Sequence, residues 1–301
     1  MIRQYKFHLS APDGRRLVPA MAYRLYSFLL ERLDAASAAA LHAESWPLNQ
    51  ALHWESLSRC AVWTITLLDD MLIERLDPAL SALTRVPLND GELAAEPLRI
   101  ETLDGARALM ERAAALPDNP LFEMTFHTTT SFKTNGRYAL FPTERLIVQS
   151  AMQKWSRAFP EYALDDEDAF MMLCGGLSIE RYALQSSRYP LKQGSVSGFY
   201  GTLALRSRLP APMLEIWRAL YCALPYLGLG IKTTLGMGSV GCGGRSADGS
   251  AGGSAASAPL TRTQPDSSPL GGGSPAVPAS TSLRACQPDS SPLGGGSSLD
   301  D

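Results

Sequence analysis

Residues 228–240 read GLGIKTTLGMGSV, two Gly-x-Gly pairs (Gly228/Gly230 and Gly236/Gly238) on either side of the polar step Lys232-Thr233-Thr234. Glycine permits positive φ and lets the main chain approach a neighbour with no Cβ in the way, so that successive N–H groups can converge on one anionic oxygen. The ligand this predicts is a phosphate; an ordinary Gly-rich turn from helix to strand is the competing reading. The spacing fits neither the dinucleotide fingerprint nor the P-loop, whose lysine directly follows the last glycine and opens a helix. Here the lysine lies between the pairs, and Met237, Ser239 and Val240 read as the start of a strand.

On the C-terminal side, residues 241–301 contain no Phe, Trp, Tyr, Ile or Met and are dominated by Gly, Ser, Ala and Pro. Too little apolar surface is available there to offset the entropy of ordering, which predicts a disordered tail. Gly241-Cys242-Gly243-Gly244 is expected to break the strand begun at Met237. Within the tail QPDSSPLGGGS occurs at 264–274 and again at 287–297, a period of 23 residues. Two readings stay open: a low-complexity linker, or a reading frame that has run into repetitive DNA.

On the N-terminal side the patterns alternate between two periods. Gln4–Leu9 alternates as a half-buried strand, apolar residues from Met21 to Leu33 recur at helical spacing, and an alanine-rich segment runs from Ala35 to Leu41 with His42 at its end. Strands follow at 49–56 and 60–68, then a helix capped by Asp69 or Asp70, a short strand at 98–102 and a helix at 106–115. The second half repeats the order: strand 121–130, helix 143–159, strands 177–184 and 198–205, helix 211–224. Strand, helix, strand, strand, helix, strand is the ferredoxin-like plan. The expected class is therefore α+β, with two tandem ferredoxin-like (RRM-like) domains at 1–120 and 121–240, a glycine-rich loop closing the second, and the tail at 241–301.

Charge separates the halves. Residues 1–120 hold 12 Lys and Arg against 16 Asp and Glu, a net of −4, whereas 121–240 hold 12 against 9, a net of +3. An overall basic domain is absent, so an RNA site must be a local strip in the second half. The five cysteines show no paired spacing, which indicates neither a zinc site nor a disulfide framework and implies a reducing compartment. No apolar run reaches membrane-spanning length and the N-terminus has no signal-peptide core, so a cytoplasmic location without membrane contact is expected.

A series of short motifs, in this order, resembles the CRISPR-associated repeat-processing endoribonucleases, the Cas-six branch of the RAMP proteins. They are Leu41-His42 after the leading helices, TITLLDDML at 64–72, SFKTNGRYALFP at 131–142, LSIERYAL at 177–184, GSVSGFYGTLAL at 194–205 and the terminal glycine stretch. The resemblance implies an enzyme that binds one CRISPR repeat of the precursor transcript and cuts it without metal or other cofactor. The RNA 2′-hydroxyl would be the nucleophile, leaving a 2′,3′-cyclic phosphate and a 5′-hydroxyl. His42 falls at the position of the family's catalytic histidine, with His53 as a rival; His8 and His127 read as ordinary strand residues. The family's helix tyrosine is also displaced: its position falls around Leu30, with Tyr23 and Tyr26 one or two turns earlier, and Tyr26 is the weaker catalytic candidate because an aromatic at helical spacing is more often core. The family's lysine after the histidine is missing, since no lysine occurs between Lys6 and Lys133, and Lys232 is the substitute considered.

Lys133, Arg137, Arg181, Arg188 and Lys192, together with Gly228, Gly230, Lys232, Thr233, Gly236 and Gly238, form the expected RNA-binding set. An interference effector complex and a second copy of the chain are the further partners that the resemblance admits. A non-catalytic repeat-binding subunit of the same fold is the alternative function.

Overall fold

The structure, a computed structural model, describes residues 1–44, 46–55, 60–192 and 194–243. The predicted tail lies, from 244 onward, outside the described residues.

The N-terminal half forms a five-stranded antiparallel sheet in the order β2-β3-β1-β5-β4. Its strands are β1 (Ile2–Ser10), β2 (Leu48–Glu55), β3 (Cys60–Leu67), β4 (Arg85–Leu88) and β5 (Gly91–Leu103). Helices α1 (Ala22–Leu30) and α2 (Ala35–Glu44) connect β1 to β2, α3 (Asp70–Ser81) connects β3 to β4, and α4 (Gly105–Ala114) leads out. Period-2 alternation assigns the two faces of β1. Tyr5, Phe7 and Leu9 are buried with Leu25, Phe28, Leu29, Leu72 and Leu76 of the helices, whereas Gln4, Lys6 and His8 point from the opposite face. The Asp69 carboxylate accepts a hydrogen bond from the Leu72 amide (2.9 Å) and starts α3, as the predicted cap requires.

The C-terminal half forms a four-stranded antiparallel sheet, β11-β6-β10-β9, from β6 (Leu121–Thr130), β9 (Leu177–Leu191), β10 (Gly194–Ser207) and β11 (Val240–Gly243). A short hairpin of β7 (Phe132–Thr134) and β8 (Arg137–Ala139) follows β6, then α5 (Glu144–Ala158) and α6 (Glu167–Gly176); α7 (Ala211–Leu227) precedes the glycine stretch. Leaving out the extra edge strand β4 and the small hairpin, each half has the same βαββαβ connectivity and the same order, with the first strand flanked by the last and the third. The class is α+β with ferredoxin-like halves.

Some local expectations need correction. Residues 131–142 contain the β7–β8 hairpin, turned by Asn135 (φ 49°) and Gly136 (φ 77°); both central residues at positive φ is what an Asn-Gly hairpin turn requires. The strands at 177–184 and 198–205 extend into one long hairpin. The short strand at 98–102 is the end of a thirteen-residue strand paired with β4. Helix α6 is an element beyond those expected, and Asp166 caps it by accepting from the Ala169 amide at 2.7 Å.

The terminal strand is also not broken after Val240. Glycine still supplies both ladder groups, and β11 pairs along β6 from Val240↔Phe126 to Gly243↔Glu123. A Cβ at Gly241 would stand 2.6 Å from His127 Nε2, and one at Gly243 2.9 Å from Glu123 Cβ. The missing side chains leave room for those two.

Candidate functional site

His42 stands in the last turn of α2 with its side chain exposed. Tyr26 of α1 is buried, and its hydroxyl donates to the Leu41 carbonyl (3.2 Å). Burial pushes the phenol up to about 12, so Tyr26 holds the backbone beside His42 and keeps its own proton. A cavity of about 180 Å³ adjoins this turn, lined by Ser37, Leu41, Trp46, Asp69 and Arg75 among others. Arg75 of α3 pairs with Asp34 and bonds the Ser37 hydroxyl, at the start of the same helix. Arg157, from α5 of the other half, places its guanidinium 5.2 Å from the centre of the Trp46 ring. A cation therefore stands near the turn that the missing lysine would occupy. Nothing in the sequence links Arg157 to His42, because 115 residues separate the two and only the packing of α5 brings Arg157 close.

The glycine stretch is built against the protein itself. Amides 228–231 and 235–238 donate within the fold, among them Leu229 to the Gly238 carbonyl (2.9 Å), Ile231 to Ser131 O (3.0 Å), Gly230 to Ser150 Oγ (2.8 Å) and Gly238 to Thr129 O (3.1 Å). A Cβ on Gly230 (φ 78°) would lie 2.3 Å from Ser131 O, and one on Gly238 (φ 69°) 2.1 Å from Leu229 O. Close backbone approach thus explains these glycines without a ligand. What faces outward is Lys232, exposed and in the left-handed region (φ 56°), at the start of a 3₁₀ turn, Thr233–Leu235. Thr233 points inward and accepts from Lys154 Nζ (3.0 Å), which also donates to Leu227 O (3.1 Å). Desolvation, with Arg157 adding repulsion, lowers the Lys154 ammonium to about 7.

Buried amide side chains of the first sheet lock this loop between the halves. Gln50 Nε2 donates to Thr234 O and Ala22 O, both at 2.8 Å, while its Oε1 accepts from Trp63 Nε1 at 2.9 Å. Asn49 Nδ2 donates to Tyr226 O (3.0 Å) and Gln4 Nε2 to Pro225 O (3.2 Å). Tyr189, deep in the β9–β10 hairpin, bonds Leu235 O (2.7 Å) and Pro19 O (2.9 Å). The stretch thereby joins the hairpin, α7 and the first sheet. Polar residues in an otherwise apolar strand (Asn49-Gln50 before Ala51-Leu52) were the available sequence signal.

Of the expected binding set, Lys133, Arg137, Arg188 and Lys192 are exposed, the first pair on the β7–β8 hairpin and the second on the long hairpin. None of these four, nor Lys232, is ion-paired among the described residues. Arg181 is engaged by Glu123. No hydrogen bond among the described residues joins His42, Tyr26 or Lys232 side chains to one another. His53, the rival histidine, stacks on His127 of β6 with ring centres 4.7 Å apart and planes 25° apart. Burial first, then His127 and Lys6, lowers its imidazole to about 3. It stays neutral near physiological pH, which removes it as a proton donor there.

The sequence profile described as CRISPR-associated endoribonuclease Cas6 matches residues 124–240. A Cas6 endoribonuclease of Streptococcus thermophilus is 29% identical over 223 residues, covering 73% of this chain and 90% of that protein. One from Mycobacterium tuberculosis is 26% identical over 248 residues, covering 77% and 74%. Among solved structures, a Cas6 product complex superposes with a TM-score of 0.63 at 20% identity, covering 80% of this chain and 99% of its own; at that identity the likeness concerns the fold. Among the described residues, no helix is long and apolar enough to cross a membrane.

Proposed function

The chain belongs to the Cas6 family of CRISPR-associated endoribonucleases, and from that premise we propose that it cuts CRISPR repeat RNA by a metal-independent transesterification in which His42 moves the proton. The RNA 2′-oxygen attacks the adjacent phosphorus, the bond to the 5′-oxygen breaks, and the products are a 2′,3′-cyclic phosphate and a 5′-hydroxyl. One proton leaves the 2′-hydroxyl and one arrives on the departing 5′-oxygen. As a class, imidazoles both accept and release protons near neutral pH, so a histidine handles either transfer, a contribution of about 10²–10⁴ in rate.

The observation that carries this reading is the exposed imidazole of His42 in a helix turn held from below by Tyr26. Tyr26 is assigned to positioning. Lys232 and Arg157 are the cations assigned to the developing phosphorane charge; fixed donors at such a charge often supply the largest single catalytic contribution. Lys133, Arg137, Arg188 and Lys192 form the backbone-binding strip, on hairpins that project from the second half. Of the glycine stretch, Lys232 is the residue assigned to RNA, while the glycines keep the loop in shape. The two βαββαβ halves, 1–120 and 121–240, act as tandem domains, and the reaction takes place in the cytoplasm.

The test is a denaturing gel of the repeat RNA from the same genome with the protein in EDTA. Wild type is compared with His42→Ala, and with RNA whose scissile 2′-hydroxyl is replaced by hydrogen. A single cut that survives EDTA and vanishes with either change supports the proposal. Tight binding with no cut would make the protein a repeat-binding subunit instead.

A further inference from the structure

The face of the first sheet opposite its helices gathers side chains that the sequence keeps far apart. Antiparallel register sets His8 and His53 each opposite Val62, from the two sides of β3. Glu55 stands opposite Cys60 one step along the same ladder. Residues two apart on a strand share a face and diagonal neighbours across it are within reach of long side chains. His8, His53, Glu55 and Cys60 therefore converge around Val62. One nitrogen of His8, one carboxylate oxygen of Glu55 and the Cys60 sulfur all lie within 4.8 Å of one another, and all three residues are half-buried. His53 Nδ1, on the same face, is buried and has no hydrogen-bond partner among the described residues.

We propose that His8, Glu55 and Cys60 form a binding site for a zinc-class divalent cation, with His53 Nδ1 as the candidate fourth donor. Imidazole, carboxylate and thiolate together suit a borderline-soft ion; ligands drawn only from oxygen would suit magnesium or calcium. Donors around a tetrahedral zinc, at 2.0–2.3 Å from the metal, stand roughly 3.3–3.8 Å apart, so side-chain movements of about 1 Å close the set. A carboxylate and a thiolate neutralise the ion's two charges. Lys6, two residues before His8 on this face, opposes a cation, while Glu96, the register partner of His8 on β5, offsets it.

The ion clamps β1, β2 and β3 at one end of the sheet. It does not touch the turn that carries His42, and the inference is independent of the cleavage chemistry. Binding displaces the thiol proton and favours the folded state, so the metal-loaded chain is the more stable one.

The full chain, stripped with chelator, is titrated with Co(II) and separately with Zn(II). One equivalent of Co(II) should give a thiolate-to-metal charge-transfer band, Zn(II) should displace it, and Zn(II) should raise the melting temperature in proportion to the logarithm of its excess. Cys60→Ser should abolish the band, whereas Cys174→Ser should keep it. His8→Ala and Glu55→Gln should each weaken Zn(II) binding more than tenfold; these two decide the matter if Cys60→Ser does not fold. A spectrum without a thiolate band, a band that survives Cys60→Ser, or unchanged affinity in His8→Ala and Glu55→Gln overturns the site. Cleavage of repeat RNA by wild type in EDTA, at a temperature well below melting, should persist in either case and so tests the catalytic reading separately.

Discussion

The two halves of this molecule share one topology and differ in where it has been extended. In the first half, the β1-to-β2 connection consists of two helices, and the second of them ends in His42 with Tyr26 beneath it. In the second half, the corresponding connection opens with the β7–β8 hairpin, the paired strands β9 and β10 are lengthened, and free cations stand on both hairpins. The acidic half carries the candidate proton-transfer group, and the basic half carries the candidate RNA contacts together with the cations Lys232 and Arg157. A duplicated plan thus divides one task, provided something fixes the halves relative to each other. Here the fixing element is the glycine stretch, wedged between Gln50, Ser131 and Tyr189.

The most severe break in that division is expected from His42→Ala. The cleavage rate should fall by about 10²–10⁴ with repeat binding and melting temperature nearly unchanged, as single-turnover assays beside filter binding will read. An equal loss of binding would mean that the two roles are not separated.

Gly238→Ala attacks the joint. A non-glycine residue at φ 69°, with its Cβ forced to 2.1 Å from Leu229 O, should cost ~2–4 kcal/mol, measured by denaturant unfolding. Rate and binding should then decline together. Gln50→Ala is a milder version, leaving Trp63 Nε1 and two carbonyls without their partner, worth about 1–3 kcal/mol.

Replacing Lys133, Arg137, Arg188 and Lys192 by Gln should weaken repeat binding and reduce its salt dependence, by a slope of up to roughly 0.7 for each single-strand phosphate left without its cation. The rate at saturating RNA should hold. A constant slope would remove these side chains from the interface.

A pH dependence is expected at Lys154. Its folded-state pKa of about 7 lies below the ordinary 10.5, so between those values the unfolded chain binds more protons and stability rises with pH. Lys154→Met should flatten that rise, as melting temperatures from pH 7 to pH 10 will register. An unchanged slope would mean that the ammonium is kept charged by Leu227 O and Thr233 Oγ1.

Much of the fold was legible along the chain, because period-2 and period-3.6 patterns are local consequences of one-sided burial. β6 appears with its predicted ends, and α2, β2, β3 and α7 within a few residues. The missed elements have local reasons too. β4 is a four-residue edge strand containing Pro87, a weak signal by any pattern, and Asn135-Gly136 sits in a short polar segment between strand and helix, where a turn and a plain connection have the same local pattern. The site was less legible. His42 could be singled out by its place in a run of motifs, and the free cations by charge, yet neither signal says what a side chain touches.

By itself the sequence determined the α+β alternation, the repeated plan, the asymmetry of charge and the resemblance to an RNA-cutting family, since each depends on residue order and composition. Only the tertiary structure decided that the glycines serve close packing of protein on protein, that Arg157 comes near the turn after His42, and that His8, Glu55 and Cys60 meet on one face. Those facts depend on which strand lies beside which and in what register. A shift of one residue in the β1–β3 pairing would turn His8 away from Cys60, and one in the β2–β3 pairing would do the same to Glu55.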